Sequence, residues 1–346
     1  MLERDAGPPR VAYCGGMSDI WPQGPPAPQV PVRRRRRRWP RVLLAVVLAM
    51  AVVGAGGYFY LDSRLHRTDV LGDYPGRVAD TPGTNWLIVG TDSRVGLTAA
   101  QRRQYATGQA VGSRTDSMML LHTGAGGTSL VSLPRDSYVP IPGHGSNKLN
   151  AAFAFGGPKL LVRTVEAATG IRIHRYAEIG FGGFVGVVDA VGGVDMCIAT
   201  PLKDPKAGLN LKAGCQTLNG TQALGYVRTR KFASADLERV KHQREFFSAL
   251  IHKTTSAGVL LNPFQSVPLA LGATDNFSVS SGDNLTDLMS LLWSMRGMGS
   301  GGGTTTTVPV GGFGSAPGVG SYLTWDRVRS HALFQALRTD TKVPKT

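Results

Sequence analysis

Residues Val42–Leu61, VLLAVVLAMAVVGAGGYFYL, run for 20 positions without a charged side chain, and no other stretch restricts the fate of the chain so strongly. At ~1.5 Å of rise per residue a helix of this length crosses the ~30 Å hydrocarbon core of a bilayer. Arg33–Arg38 and Arg41 stand just before it, and Tyr58 and Tyr60 sit at its far end. Positive-inside logic therefore predicts a single-pass membrane protein with a cytoplasmic N-terminus and an extracytoplasmic remainder. A cleaved signal peptide is the competing reading, since small residues cluster at Gly54–Gly57, but the full spanning length favours an anchor. On either reading the large C-terminal portion leaves the cytoplasm.

The span divides the chain into four parts. Residues 1–41, with Pro22, Pro25, Pro26, Pro28 and Pro31 and a run of Arg, are expected to be a disordered cytoplasmic tail. Residues 42–61 are the transmembrane helix, and 62–84, polar with Pro75 and Pro82, read as an extracytoplasmic linker. Residues 85–346 are left as one domain, a size that buries one substantial core. The chain carries +15 overall, and nine Arg against three acids in 1–41 account for only part of that. The remainder is also basic, which favours an anionic partner such as a phosphate-rich substrate or a lipid headgroup. Six consecutive Arg also suit nucleic acid, but directly before an apolar 20-mer topology explains them, so no nucleic-acid partner is expected.

Within the domain, Trp86–Gly90, Ser117–His122, Ser129–Leu133, Tyr176–Ile179 and Val194–Ile198 read as strands, with a Gly124–Gly127 turn making a hairpin of the second and third. Pro158–Thr169 reads as a helix with Pro in its first turn and Gly170 as its stop. Further helices are predicted at Phe181–Val191, Gly220–Arg230, from a cap at Ser234 or Asp236 to about Lys253, Asp287–Met298 and Asp326–Arg338. Strands alternating with helices predict a layered α/β/α sandwich around a mixed central sheet. Cys197 and Cys215, an even pair outside the cytoplasm, read as a disulfide, with two buried free thiols as the alternative.

The chemistry-bearing residues cluster around Ser129–Lys159, SLVSLPRDSYVPIPGHGSNKLNAAFAFGGPK. Pro134 ends a buried strand there and delivers Arg135 and Asp136 into a loop stiffened by Pro140, Pro142, Gly143 and Gly145, which brings up Lys148. Asp92 and Arg94 follow one strand, Arg114 and Asp116 precede another, and Arg228, Arg230, Arg239 and Gln243 come later. Two carboxylates at adjacent strand ends suit Mg²⁺, which takes its remaining ligands from water and substrate phosphates. From the residues alone, Asp92 paired with Arg94 and Asp116 paired with Arg114 is the favoured account. Arg offers a planar fork that matches phosphate, so converging Arg suit a diphosphate, whereas dispersed Arg would merely be solvated. No G-x-S-x-G, S-x-x-K, H-E-x-x-H or Walker A sequence is present.

WLIVGTDSR, RTDSMML, SLPRDSYVPIPG, KLNAAFAFGGP, GGVD, LNGTQALGYVRTR and a D-x-x-R-x-x-x-Q helix occur in this order, and the whole resembles the LytR-CpsA-Psr (LCP) family of cell-wall glycopolymer transferases. The resemblance covers about Asn85–Lys253. It implies an Mg²⁺-dependent (or Mn²⁺-dependent) phosphotransferase moving a glycosyl-1-phosphate polymer or oligosaccharide from a polyprenyl-diphosphate carrier to peptidoglycan. The same site with water as acceptor would be a pyrophosphatase, and a wall-binding or regulatory protein is the non-enzymatic alternative. It also implies that Asp92 and Asp116 hold the metal and act in catalysis with Arg135 and Arg230. Arg94, Arg114, Lys148, Arg228, Arg239 and Gln243 are then substrate-binding, and Phe153, Phe155, Phe181 and Phe184, with Val187 and Val188, are candidates to line a lipid tunnel.

Overall fold

The computed structural model describes residues 24, 39–93, 97–105, 115–229, 237–299 and 302–344, the side chains of 237–244 aside. Helix α1, Trp39–Ser63, is 25 residues long and apolar enough to cross a membrane. It extends the predicted span by about one turn at its N-terminal end. Residues 1–51 and 52–346 form separate compact units, and the second holds the folded domain. All of the expected disordered tail except Gly24, Trp39, Pro40 and Arg41 lies outside the described residues.

In chain order the strands are β1 (His66–Thr68), β2 (Thr84–Thr91), β3 (Thr115–Gly124), β4 (Gly127–Leu133), β5 (Tyr138–Ile141), β6 (Gly145–Lys148), β7 (Arg175–Ile179), β8 (Val194–Ile198), β9 (Leu202–Asp204), β10 (Leu209–Leu211), β11 (Gly214–Leu218), β12 (Phe277–Ser280), β13 (Gly303–Thr307), β14 (Val310–Ala316) and β15 (Gly320–Trp325). The helices after α1 are α2 (Ala99–Gln104), α3 (Leu149–Thr169), α4 (Phe181–Ala190), α5 (Gly220–Arg228), α6 (Leu237–Thr254), α7 (Ala257–Leu260), α8 (Pro263–Asn276), α9 (Leu285–Gly299) and α10 (Arg327–Arg338). Seven strands form the central sheet in the order β1-β12-β7-β2-β3-β4-β13. The sheet is mixed: β2 runs antiparallel to β3 and parallel to β7, and β3 and β4 form the predicted hairpin with Gly124 opposite Gly127.

Side chains alternate across the sheet, and the two faces bury different helices. Leu87, Val89, Met118, Leu120 and Val131 point into a core with Leu161 and Val165 of α3 and Leu333 and Phe334 of α10. Trp86, Leu121 and Leu130 point the other way, onto Leu288 and Leu291 of α9. A third cluster joins Phe184 and Val188 of α4 to Leu224 of α5 and Phe246 of α6. The architecture is therefore the predicted mixed sheet with helices on both faces.

Two segments differ from expectation. Residues 62–84 are not a free linker, because β1 pairs in parallel with β12 and Leu65 and Val70 are buried. Their apolar side chains complete the edge of the domain. Helix α3 starts nine residues before Pro158, and the chain breaks helical geometry only at Gly156 and Gly157, the latter at φ 66, a left-handed conformation that favours glycine. The second half, closed by left-handed Gly170, matches the predicted helix. Cys197 and Cys215 face each other across the β8–β11 pair and are joined as a disulfide.

Candidate active site

The polar site is assembled at the end of three neighbouring strands. Asp92 follows β2, and Asp116 lies near the start of β3. Gly90 pairs with Ser117 and Thr91 with Thr115, so Asp116 is the extra residue of a β-bulge, a device that re-aims a side chain at a sheet edge. Its Oδ1 accepts a hydrogen bond from Arg135 Nη1 at 2.7 Å. Arg135, one residue past Pro134 at the end of β4, also donates from Nε to Asp136 Oδ2 at 3.4 Å. Lys148 Nζ reaches the other oxygen of Asp136 at 3.2 Å. Asp116 is thus paired with Arg135, which follows a different strand, and Arg114 lies outside the described residues.

The 135–138 loop is pinned on two sides. Leu149 N and Asn150 N, at the start of α3, donate to the carbonyls of Ser137 and Arg135 at 2.8 and 3.1 Å. These bonds satisfy first-turn amides that a helix leaves unpaired and aim the positive end of its dipole at the loop. From the other side Leu323 N donates to the Asp136 carbonyl at 3.0 Å, and Trp325 Nε1 donates to Ser137 Oγ at 2.8 Å. Arg135, Asp136 and Lys148 are consequently part-exposed charges on an immobilised backbone.

Against the ends of β2 and β3 lies an apolar cavity of about 120 Å³. Phe181 and Phe184 of α4, Leu224 and Val227 of α5, Phe247 of α6 and Ile88 of β2 form its walls, while Thr91, Ser117 and Arg228 lie on the side of the strand ends. Small residues keep it open: a Cβ on Gly90 would collide with Ser117 Oγ, and one on Gly180 would press on the Ser93 carbonyl. Arg228 ends α5 with its guanidinium 4.9 Å from the centre of the Phe181 ring and donates to the Tyr105 carbonyl at 3.0 Å. The next residue, Thr229, is buried and donates to Asp204 Oδ2 at 2.7 Å, which anchors the chain that leads away from Arg228.

Of the aromatic candidates, Phe181 and Phe184 line this cavity, but Phe153 and Phe155 do not. Phe153 packs in the α3–α10 core on the opposite face of the sheet, and Phe155 is half exposed, stacked on His144 at 5.0 Å. They fall on α3, which covers the other face. Val187 and Val188 are likewise absent from the cavity wall, and both are buried. Arg94, Arg114 and Arg230 lie outside the described residues, and Arg239 and Gln243 are described only as backbone positions of α6.

The site also contains residues to which the sequence motifs assign no role. Asp136 links Arg135 to Lys148, and Asp204 anchors Thr229. Glu178 of β7 accepts hydrogen bonds from Tyr176 Oη at 2.9 Å and from Thr91 Oγ1 at 3.2 Å, next to Asp92. Burial raises the Glu178 carboxyl above the usual range despite both bonds, and burial also raises the Tyr176 phenol. Asp136 was visible in the sequence as the partner of Arg135 in the Pro-Arg-Asp triplet, whereas Asp204 and Glu178 have no local signature.

Among the described residues no three His, Cys, Asp or Glu side chains converge on a metal position. Asp92 and Asp116 lie at the neighbouring ends of β2 and β3.

A mixed sheet with helices on both faces, an apolar cavity against one face and Arg and Asp residues at the adjoining strand ends define a class of α/β domain equipped for ligands with an anionic head and an apolar body. The LytR_cpsA_psr family model matches residues 66–331, and the chain belongs to that family. It is 46% identical over 332 residues to the probable cell wall biosynthesis protein LcpB of Corynebacterium glutamicum, covering 94% of this chain and 78% of that protein. It is 33% identical over 279 residues to the polyisoprenyl-teichoic acid–peptidoglycan teichoic acid transferase TagT of Bacillus subtilis, covering 75% of this chain and 80% of that one. Among solved structures it is similar to TagT bound to LI-WTA, with a TM-score of 0.55 and 26% identity over 78% of this chain and 93% of the other. The LytR-Csp2A-Psr enzyme from Actinomyces oris shares the fold, with a TM-score of 0.61 over 82% of this chain and 99% of that one, at 23% identity.

Proposed function

We propose that this chain is a membrane-anchored transferase of cell-wall assembly that moves a glycosyl-1-phosphate polymer or oligosaccharide from a polyprenyl-diphosphate carrier to a hydroxyl of peptidoglycan. The observation that carries the reading is the apolar cavity beside Arg228 and the strand ends bearing Asp92 and Asp116. A polyprenyl diphosphate has the matching form, with an anionic diphosphate on an apolar chain. Relatives named as cell wall biosynthesis proteins and teichoic acid transferases support the same substrate class.

In the proposed reaction the acceptor hydroxyl oxygen bonds to the phosphorus that carries the sugar. The bond from that phosphorus to the bridging oxygen breaks, and polyprenyl phosphate leaves. The hydroxyl proton passes to a carboxylate, Asp92 or Asp116. Arg135 and Arg228, with Arg94, Arg114, Arg230 and Arg239, neutralise charge on the diphosphate, and preorganised charge is the principal source of catalysis in phosphoryl transfer. Gln243 and Lys148 orient the donor. Mg²⁺ (or Mn²⁺), held by Asp92 and Asp116 with the diphosphate, would supply further positive charge. α1 anchors the chain with its N-terminus in the cytoplasm and confines enzyme and carrier to one surface, which raises their effective concentration.

The test is to reconstitute the full chain in vesicles with a synthetic polyprenyl-diphosphate glycan, peptidoglycan fragments and Mg²⁺, and to follow both products by mass spectrometry. Glycan phosphate on the acceptor, lost with EDTA and in Arg135→Ala, is the expected result. Lipid phosphate released without labelled acceptor would replace the transferase with a hydrolase. Unchanged product formation by Arg135→Ala would overturn the site assignment.

A further inference from the structure

Two helices of the domain carry large apolar side chains that are exposed among the described residues. On α8, Phe264 is 88% and Val267 is 54% exposed, and on α9, Met289 is 61% and Trp293 is 69% exposed. Their positions along each helix are informative. Phe264, Val267 and Asp275 fall at i, i+3 and i+11, one face of a 3.6-residue helix. Asp275 is where Arg64, just past the end of α1, is held by paired bonds of 2.6 and 2.8 Å. On α9 the sequence Thr286, Met289, Trp293 falls at i, i+3 and i+7, and the Thr286 hydroxyl meets Tyr58 Oη at 3.0 Å. Asp62 completes the junction by accepting from Leu285 N at 2.9 Å. The last turns of the apolar helix, Tyr58–Ser63, are therefore tied to the same two helix faces that expose these large apolar side chains.

We propose that the exposed faces of α8 and α9 rest in the headgroup layer of the bilayer that α1 enters, so that the partner of this surface is phospholipid. The inference rests on α1 crossing a membrane. Contiguous exposed apolar surface marks a protein or membrane contact, and the attachment of α1 to these faces selects the membrane over a second copy of the chain. The chemistry of the rim agrees. Arg296 lies 5.1 Å from the centre of the Trp293 ring, and Arg64 lies 5.6 Å from that of Tyr60. Aromatic rings capped by cations suit the headgroup level, where apolar bodies meet phosphates. Docking has a consequence for the cavity. α8 packs closely on α4, since a Cβ added at Gly183 would lie 2.5 Å from Asn276 Cβ. α4 in turn supplies Phe181 and Phe184 to the cavity wall, so one helix layer separates the docked surface from the apolar cavity.

The experiment uses the full chain with Cys14→Ser and a single added cysteine, Phe264→Cys, Met289→Cys, Val47→Cys within α1 or Val328→Cys on α10, labelled with an environment-sensitive fluorophore. Each is reconstituted in vesicles of phosphatidylcholine and phosphatidylglycerol, with and without lipid spin-labelled near the top of the acyl chain. Labels at 264 and 289 are expected to shift to the blue and to be quenched by the spin label, as at Val47, while the label at 328 remains water-like and unquenched. Quenching at Val47 with water-like labels at 264 and 289 would overturn the docking while leaving the span in place. A water-like label at Val47 as well would remove the premise and the proposal together. Self-quenching at 264 and 289 that rises with protein-to-lipid ratio would reassign the face to contact between copies.

Discussion

The two faces of the central sheet are built from the same strands and end in opposite properties. Toward α3 and α10, Leu87, Val89, Met118 and Leu120 are almost wholly buried and interdigitate with helix side chains. Toward α4, α5 and α6, the intervening positions Ile88, Gly90 and Ser117 leave an apolar cavity. The ion pairs divide in the same way. On the α3 side Glu166 is 0% exposed and saturated by Arg77, Tyr74 Oη and Ile173 N. At the strand ends the Arg135–Asp116 pair keeps 23% and 46% of its side-chain surface exposed. One face holds charges and apolar groups that satisfy each other, and the other holds groups with capacity left for a ligand. The α3–α10 face is thereby saturated by its own groups, whereas the strand ends and the cavity on the other face keep capacity for a ligand.

The largest expected effect tests the charges. Glu166→Ala would strand Arg77 in the interior and should cost about 3–5 kcal/mol, read as a lowered urea midpoint. Arg135→Ala should change stability by less than about 1 kcal/mol, as exposed pairs do. Its loss should appear in donor binding, where one charge-assisted bond is worth about 1.5–3 kcal/mol. Comparable destabilisation by the two variants would erase the distinction between the faces.

Next comes the disulfide between β8 and β11, which pair as a two-stranded unit among the described residues. Replacing Cys197 and Cys215 by Ser should cost about 3 kcal/mol in the chain-entropy account. Equal urea midpoints for the variant and the reduced parent would attribute the whole difference to the covalent link.

A third pair of variants sharpens the packing contrast within adjacent residues. Val89→Phe inserts volume into the closed face and should destabilise by about 1–3 kcal/mol through overpacking. Ile88→Phe projects into the cavity, so its stability should change by less than about 1 kcal/mol by the same reasoning, while turnover of a long-chain donor falls. If both variants unfold alike, the cavity is not available space.

Much of this arrangement was legible before the structure. β2, β4 and β8 stand out because short apolar runs end at Gly or Pro or follow them; the structure adds that Asn219 and Gln222 form a capping box at the start of α5. The pair β1 and β12 at the sheet edge was not legible, since HRT carries no apolar residue and FSVS alternates over only four positions, and both become strands through each other and β7. Tertiary pairing decides such segments. The first half of α3 was hidden because Gly156-Gly157-Pro158 reads as a beginning although the chain passes through it. That misreading also explains Phe153 and Phe155: with α3 unplaced, nothing local says which face of the sheet they meet. For the polar site, residue identity was readable and pairing was not. Asp116 has Arg114 beside it in sequence, yet the bulge turns it to Arg135.

The smallest expected effect concerns Glu178, which lies on the closed face beside the site and breaks its rule of mutual satisfaction. Its carboxyl accepts two hydrogen bonds, but desolvation outweighs them and raises its pKa. For an acid the sign follows from linkage: between the unfolded and the raised folded value, the native state holds more protons than the unfolded state, so stability falls as pH rises. Below the ordinary carboxyl range both states are protonated and the penalty vanishes; above the folded value it is constant. Glu178→Gln should therefore match the parent in acid and exceed it at neutral pH, with a shallower decline of urea midpoint between. It should also keep Thr91 in place, because an amide oxygen still accepts from its hydroxyl. A parent whose stability does not decline across that window, or a Gln variant with the same decline, would show that Glu178 is solvated and that the closed face does not extend to the strand ends.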